Sequence, residues 1–375
     1  MVCGIICEYN PFHQGHARQI QSLKEQGHSV VCLMSGSFVQ RGDLAIYDKW
    51  TRARWALRHG ADLVLELPVI HTLQSAQGFA RGAVAVLRST GVVDTLCFGT
   101  ECRSPFALQS VAALQAEEPP AYRALLRDAL DRGLPYPVAM ERATRGLLPD
   151  LPDTAFTANS LLGVEYQKAL LEQEWRPQVL PFHRESHSAS ATQCRRALFQ
   201  GELPPWLPED VALEAGSHAP AALEQLSQLI CYRLRTAPRE GLAALEDVTE
   251  GLENRLLSAG QRANTLEETI ELAATRRYTH ARIRRILCCL LLDIKKADLA
   301  SYRQNPPYLR LLGFRRESVS LVSRLSEEGS LPLFTKPAAL SEHPIFQKEM
   351  LATELYAIAT GRPAALELTT PLITL

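Results

Sequence analysis

Residues 2–34, VCGIICEYNPFHQGHARQIQSLKEQGHSVVCLM, decide the fold class. They open on a short apolar run, VCGIIC (2–7), and pass through a turn built on Asn10 and Pro11. The spacing of HQGHARQIQSLKEQ then predicts a helix, and SVVCLM (29–34) is a second apolar run. The pattern continues: ADLVLEL (61–67) and DTLCFG (94–99) are further apolar runs, separated by the helical stretches DKWTRARWALRHG and QSAQGFARGAVAVLRS. Near-continuous apolar strands alternating with helices predict an α/β fold with a parallel sheet covered on both faces. Ligands of such sheets sit at the carboxyl ends of the strands. The turn at 7–16 lies at one of those ends.

Composition narrows the function classes. The 375 residues carry 40 Lys and Arg against 41 Asp and Glu, so no global basic excess exists and any RNA contact must be a local patch. The first ten residues show no signal-peptide pattern, and no apolar stretch is long enough for a transmembrane helix. The nine cysteines form no CxxC pair, and Cys3, Cys7, Cys32 and Cys97 lie in strand-like runs as small buried hydrophobes. This usage predicts a reducing, cytoplasmic setting.

Residues 103–147 read as helical, and NSLLGVEYQKALLEQ (159–173) predicts an amphipathic helix with Asn159 as its N-cap. RPQVLPF (176–182) reads as the last strand of the sheet, and SASATQCRRALFQG as a helix ending at Gly201. The Pro-rich ELPPWLPED (202–210) reads as a linker. Strand signals nearly vanish beyond it. We therefore expect a catalytic domain over 1–201 and a helical domain over 202–375.

Within the opening turn, His13, Gly15 and His16 form an HxGH sequence. Free N–H groups and the dipole at a helix start favour an anion, two imidazoles can donate to a phosphate, and Gly15 allows close approach. A zinc pair and two structurally satisfied histidines are the alternatives; zinc would want i, i+4 spacing and further ligands. A second candidate cradle is SASATQCRRAL (188–198), which sets Ser190, Thr192 and Arg195 at another helix start after another strand. The plain alternative there is a serine N-cap.

HxGH after the first strand with a late Ser-x-Thr-x-x-Arg resembles the HIGH-type nucleotidyltransferase superfamily. More narrowly, EYNPFHQGH, MSGSFVQRG, KWTRARWAL, ADLVLELP, FGTE, NSLLGVEYQKAL and SATQCR resemble the bacterial tRNA(Met) cytidine acetate ligase family. The resemblance is fainter in EGLENRL, RRYTHARIRRIL and YLRLLGF. It implies a Rossmann-like nucleotidyltransferase domain followed by an α-helical C-terminal domain. It implies activation of acetate by ATP, with Mg²⁺, and acetylation of N4 of the wobble cytidine of elongator tRNA(Met). No membrane association and no stable protein partner are expected.

Carried onto this chain, the resemblance implies ATP contacts at Ile6, Cys7, Glu8, Tyr9, Asn10, Pro11, Phe12, His13, Gln14, Gly15, His16, Ala17 and Arg18. It adds Gly99, Asn159, His183, Arg184, Ser190, Thr192 and Arg195, with His13, His16 and Thr192 as catalytic candidates. No protein nucleophile is required: positioning and electrostatics carry such a displacement. Lys49 and Arg52 are candidates for phosphate or the tRNA end; Ser35, Gly36, Gln40 and Arg41 for the acetate pocket or an RNA contact. The family's tyrosine between the last strand and the Ser-Ala-Thr stretch is missing from HRESHSASAT, which keeps Arg184 and His187.

In ATRRYTHARIRRILCCLLLDIKK (274–296), Ile283, Ile286, Leu287, Leu290 and Ile294 form one helical stripe. Arg276, Arg277, Arg282, Arg284 and Arg285 crowd its first half beside Tyr278, a candidate surface for tRNA phosphates. The plain alternative is a solvated basic face paired with acids such as Glu268. A wobble base reaching a buried acyl-adenylate implies base flipping. Two rival functions share parts of this pattern: a small-molecule adenylyltransferase of coenzyme synthesis, and a non-catalytic RNA-binding protein with a degenerate nucleotide site.

Overall fold

The computed structural model describes residues 1–184, 190–302 and 305–375. Five parallel strands form the heart of the molecule: β1 (Val2–Cys7), β2 (Ser29–Ser35), β3 (Leu63–Leu67), β4 (Thr95–Thr100) and β5 (Gln178–His183). Three later strands join them: β6 (Leu309–Phe314), β7 (Leu333–Phe334) and β8 (Ile373–Thr374). The sheet order is β8-β6-β3-β2-β1-β4-β5, with β7 pairing β6. The chain thus builds outward from β1 to β3 on one side, then returns to lay β4 and β5 on the other. The strand order reverses between β1 and β4, which opens a crevice at their carboxyl ends.

The apolar runs lack alternation because both faces of the sheet are covered. Ile6, Val31, Leu33 and Leu65 pack on one side with Phe79 and Leu87 of α3 (Ala76–Ser89) and Val164 of α4 (Ala158–Glu172). Ile5, Val30, Cys32 and Val64 pack on the other with Ile20 of α1 (Gln14–Glu25) and Trp55 of α2 (Lys49–Arg58). All nine cysteines are free thiols, and only Cys7 is less than fully buried.

A third core joins the two expected halves. Leu252, Leu256, Ile283, Ile286 and Leu287 pack with Phe38, Leu44, Ile70 and Leu73, which follow β2 and β3. The stripe predicted on 274–296 is therefore buried, with Ile283, Ile286, Leu287 and Leu290 on α6 (His280–Leu292) and Ile294 just beyond its end. The expectation of a helical domain over 202–375 is modified in one place, because β6 runs antiparallel beside β3 and extends the main sheet. A six-residue apolar run cannot be told from a helical turn by its period alone. Among the described residues no helix is long and apolar enough to cross a membrane.

Candidate functional site

The two histidines close the start of α1 by an unusual cap. His13 is the N-cap, and its Nδ1 accepts the backbone N–H of Gly15 at 3.1 Å. His16 reaches back so that its Nδ1 accepts the backbone N–H of His13 at 3.3 Å. With each Nδ1 an acceptor, the proton of each neutral ring sits on Nε2. Burial is the main cause that lowers His13 to about 4, helped by the Arg184 charge. Burial, then His13, then Arg184 hold His16 well below its ordinary value. Both rings are thus neutral Nε2–H donors near pH 7. The Nε2 atom of His13 is buried and has no partner among the described residues.

The rings stack with centroids 3.6 Å apart, and His16 rests edge-on against Tyr9 at 4.9 Å. Phe12 lies beside His16 and stacks on His59. Ile6, Tyr9 and Phe12 are thus buried supports, and contacts to a nucleotide at those positions fall to the backbone. Gly15 has a more specific reason than sequence offered: an added Cβ would stand 2.9 Å from the His13 ring. Gln14 and Arg18 are exposed, whereas Cys7 and Ala17 are half-buried.

The second cradle meets the first. Ser190 stands at the N-cap of α5 (Ala191–Phe199), but its side chain takes no N–H of the first turn. The first-turn N–H groups are therefore free of a serine cap. Arg195 donates to the carbonyl of Asn10 at 2.7 Å and to Thr192 Oγ1 at 3.2 Å, tying α5 to the turn after β1. Asn10 in turn accepts the N–H of Ile46 through Oδ1, and Pro11 is buried beside it. His187, which the stretch HRESHSASAT keeps, lies outside the described residues.

Across the crevice, Gly99 is the penultimate residue of β4, and its missing Cβ lets Arg184 lie against it; a Cβ there would meet Arg184 Cδ at 3.1 Å. His183 ends β5 and Arg184 follows it, and the Arg184 N–H bonds Thr100 O at 2.8 Å. The N-cap of α4 is Thr157 rather than Asn159, which is the second helical residue. Asn159 Nδ2 instead donates to Glu101 at 2.5 Å, and Thr157 Oγ1 donates to its other oxygen at 2.7 Å. Sequence reasoning passed over Glu101, although it closes the quoted FGTE.

Two candidates are overturned. Lys49 is wholly buried and pairs with Glu66 at 2.5 Å and Glu367 at 2.6 Å. Arg52, also wholly buried, donates to the carbonyls of Tyr47, Glu8, Ser35 and Gly36. Neither can meet a tRNA, because every charged atom already has a partner inside the protein. The loop 35–42 is held by these bonds and by Gln40 N–H on Glu8 Oε1, leaving Arg41 exposed.

The basic face of α6 is largely neutralised too. Arg282 and Arg285 pair with Asp247, and Arg284 with Asp43 and Glu224; Glu268 is not their partner. Tyr278 is buried beneath Arg282, 5.2 Å from its ring centroid, so it offers no face to a base. Arg276 and Arg277 remain exposed, and Arg277 pairs with Glu250 at the surface. Among the described residues, no group of three or more His, Cys, Asp or Glu is placed to hold a metal ion.

The profile of the HIGH nucleotidyl transferase family matches residues 1–368. A tRNA(Met) cytidine acetate ligase of Acetivibrio thermocellus is 35% identical, covering 97% of this chain and 96% of that one. The protein of that name from Clostridium perfringens is 32% identical over 95% and 94%. The crystal structure of Thermotoga maritima TmcAL bound with alpha-thio ATP superposes with a TM-score of 0.91 at 28% identity, over 100% of this chain and 99% of that one. The likeness spans the helical half as well as the sheet, and this chain belongs to the tRNA(Met) cytidine acetate ligase family of HIGH nucleotidyl transferases.

Proposed function

We propose that the crevice between β1 and β4 binds ATP and acetate, joins them as acetyl-adenylate, and passes the acetyl group to N4 of the wobble cytidine of elongator tRNA(Met). Full-length membership of the ligase family supports the overall reaction. The observation that carries the site assignment is the buried Nε2–H of His13 beside His16, which has no partner among the described residues.

An acetate oxygen attacks the α-phosphorus of ATP, and pyrophosphate leaves with the electrons of the broken P–O bond. Charge accumulates on the α-phosphoryl oxygens, where His13 and His16 donate from Nε2 without reorganising. Arg184 adds positive charge to the same space, and the start of α5 with Thr192 and Arg195 offers N–H and hydroxyl donors to the remaining phosphates. Cytidine N4 then attacks the acetyl carbonyl, AMP departs, and the N4 proton passes to solvent. Mg²⁺ arrives with the nucleotide, held by phosphate oxygens rather than by a protein cage.

For tRNA, the exposed Arg41, Arg276 and Arg277 are the cations of the sequence-based set still available to phosphates. Residues 202–375 act as the tRNA-holding part, and the reaction is assigned to the cytoplasm.

Acetate-dependent exchange of labelled pyrophosphate into ATP tests the first step, with labelled acetate transfer to tRNA(Met) for the second. Exchange driven by a coenzyme precursor instead of acetate would identify a small-molecule adenylyltransferase. Binding of tRNA without exchange would identify a non-catalytic RNA binder.

A further inference from the structure

Asn159 stands at the crevice edge with one end of its amide fixed. Its Nδ2 donates to Glu101 Oε1 at 2.5 Å, and Thr157 Oγ1 holds Oε2 at 2.7 Å. An ionised carboxylate has only acceptor atoms, so the NH₂ end of the amide must face it. Burial alone would raise the Glu101 carboxyl, but the bonds from Asn159 and Thr157, with Arg184 nearby, hold it below its ordinary value. Asn159 Oδ1 is therefore the outward atom; it is not buried and bonds no described residue. The same edge carries Gly99 and the Arg184 side chain that lies against it.

We propose that Glu101 is a positioning residue for nucleotide selection: it locks the Asn159 amide so that Oδ1 accepts a hydrogen bond from a donor on the bound nucleoside. ATP offers three such donors, the ribose 2′- and 3′-hydroxyls and the 6-amino group of adenine. A site built to accept from a hydroxyl or amino group discriminates strongly against an analogue lacking it. An amide free to turn would present NH₂ half the time and lose that preference. This inference rests on the reading of the crevice as the ATP site and adds which atoms select.

The test is calorimetric binding of ATP, 2′-deoxy-ATP, 3′-deoxy-ATP and purine riboside triphosphate to the wild type, Glu101→Ala, Glu101→Gln and Asn159→Ala. In the wild type, one analogue should bind about ten-fold more weakly than ATP, the worth of one good hydrogen bond. That analogue names the donor. For Glu101→Ala and Asn159→Ala the same analogue and ATP should bind within about two-fold of each other, because the selective acceptor is lost. Glu101→Gln keeps a carbonyl for Asn159 Nδ2 and should retain most of the discrimination. Glu101→Met fills the same volume should the alanine variant not fold. Equal discrimination in the wild type and Glu101→Ala, for every analogue, overturns the proposal; so does unaltered discrimination in Asn159→Ala. Binding needs no turnover, so a chain that binds ATP selectively but performs no acetate-dependent exchange would refute the acetate chemistry and leave this inference standing.

Discussion

The histidine crevice and the base of α2 both bury basic side chains, yet their polar atoms end differently. At the base of α2, Lys49 meets Glu66 and Glu367, Arg310 meets the same two carboxylates, and Arg52 caps four carbonyls. In the crevice, among the described residues, His13 Nε2 is buried without a partner, Asn159 Oδ1 bonds nothing, and Ser190 takes no N–H of its helix. Buried polar groups in native proteins are nearly always satisfied. Where hydrogen-bonding capacity is complete, the residues hold the fold; where it is left open at a strand's carboxyl end, capacity remains for the ligand proposed above.

Glu349 tests that distinction. Its Oε2 is buried and has no partner among the described residues, while its Oε1 accepts the Val69 N–H. Burial, with Glu66 close by, pushes its carboxyl well above the ordinary range, so it is a neutral acid rather than an uncompensated charge. It lies behind Gly36 in the same closed network and adds no opening to the crevice.

The largest effect should come from breaking the closed network. Lys49→Met leaves Glu66 and Glu367 short of a cation, which costs about 3–5 kcal/mol when one member of a buried pair is removed. Denaturant unfolding measures it; a stable variant that selectively loses tRNA binding would undo the contrast. Next comes His16→Ala, expected to slow acetate-dependent exchange by about 10²–10³, the loss typical of one preorganised donor. Unfolding free energy should change far less than for Lys49→Met; a similar loss of stability with intact exchange would make His16 structural.

A smaller effect belongs to pH. His13 is held near 4 in the fold and has an ordinary value of 6.5, so between those values the unfolded chain binds the proton and the folded chain does not. Stability in the absence of nucleotide is complete above about pH 6.5 and falls as pH drops toward 4. The His13 share is about 3 kcal/mol at most. His71, buried elsewhere and lowered to about 4 by that burial, acts in the same direction. His13→Gln should flatten the profile and His71→Gln should flatten it further; an unchanged slope in both would refute the neutral-ring assignment. The smallest effect is that of Arg277→Ala, whose side chain is 69% exposed. Stability should stay within about 0.5 kcal/mol. A salt slope of tRNA binding lowered by about 1 would mark a phosphate contact, and an unchanged slope would remove Arg277 from the surface.

Much of this was readable along the chain because it depends on neighbours in sequence. Apolar runs buried on both faces announce parallel strands, and HxGH after the first one sets two imidazoles at a helix start. Failures arose where the deciding partner is distant. Lys49 and Arg52 read as candidates for phosphate or the tRNA end, since no local pattern says that Glu367 returns to meet Lys49. Arg282 and Arg285 read as a positive surface until Asp247 is placed beside them. Glu101 was passed over because its role depends on Asn159, brought to it by the packing of α4 near β4.

By itself, then, the sequence determined the parallel α/β heart, the placement of two helix starts at strand ends and the family to which their motifs point. These follow from periodicity, turn chemistry and short-range spacing. Tertiary structure alone decided which cations are neutralised and which end of the Asn159 amide faces the crevice. Each of those is set by a hydrogen-bond or ion-pair partner, and such partners are chosen by the packing of elements rather than by the order of residues.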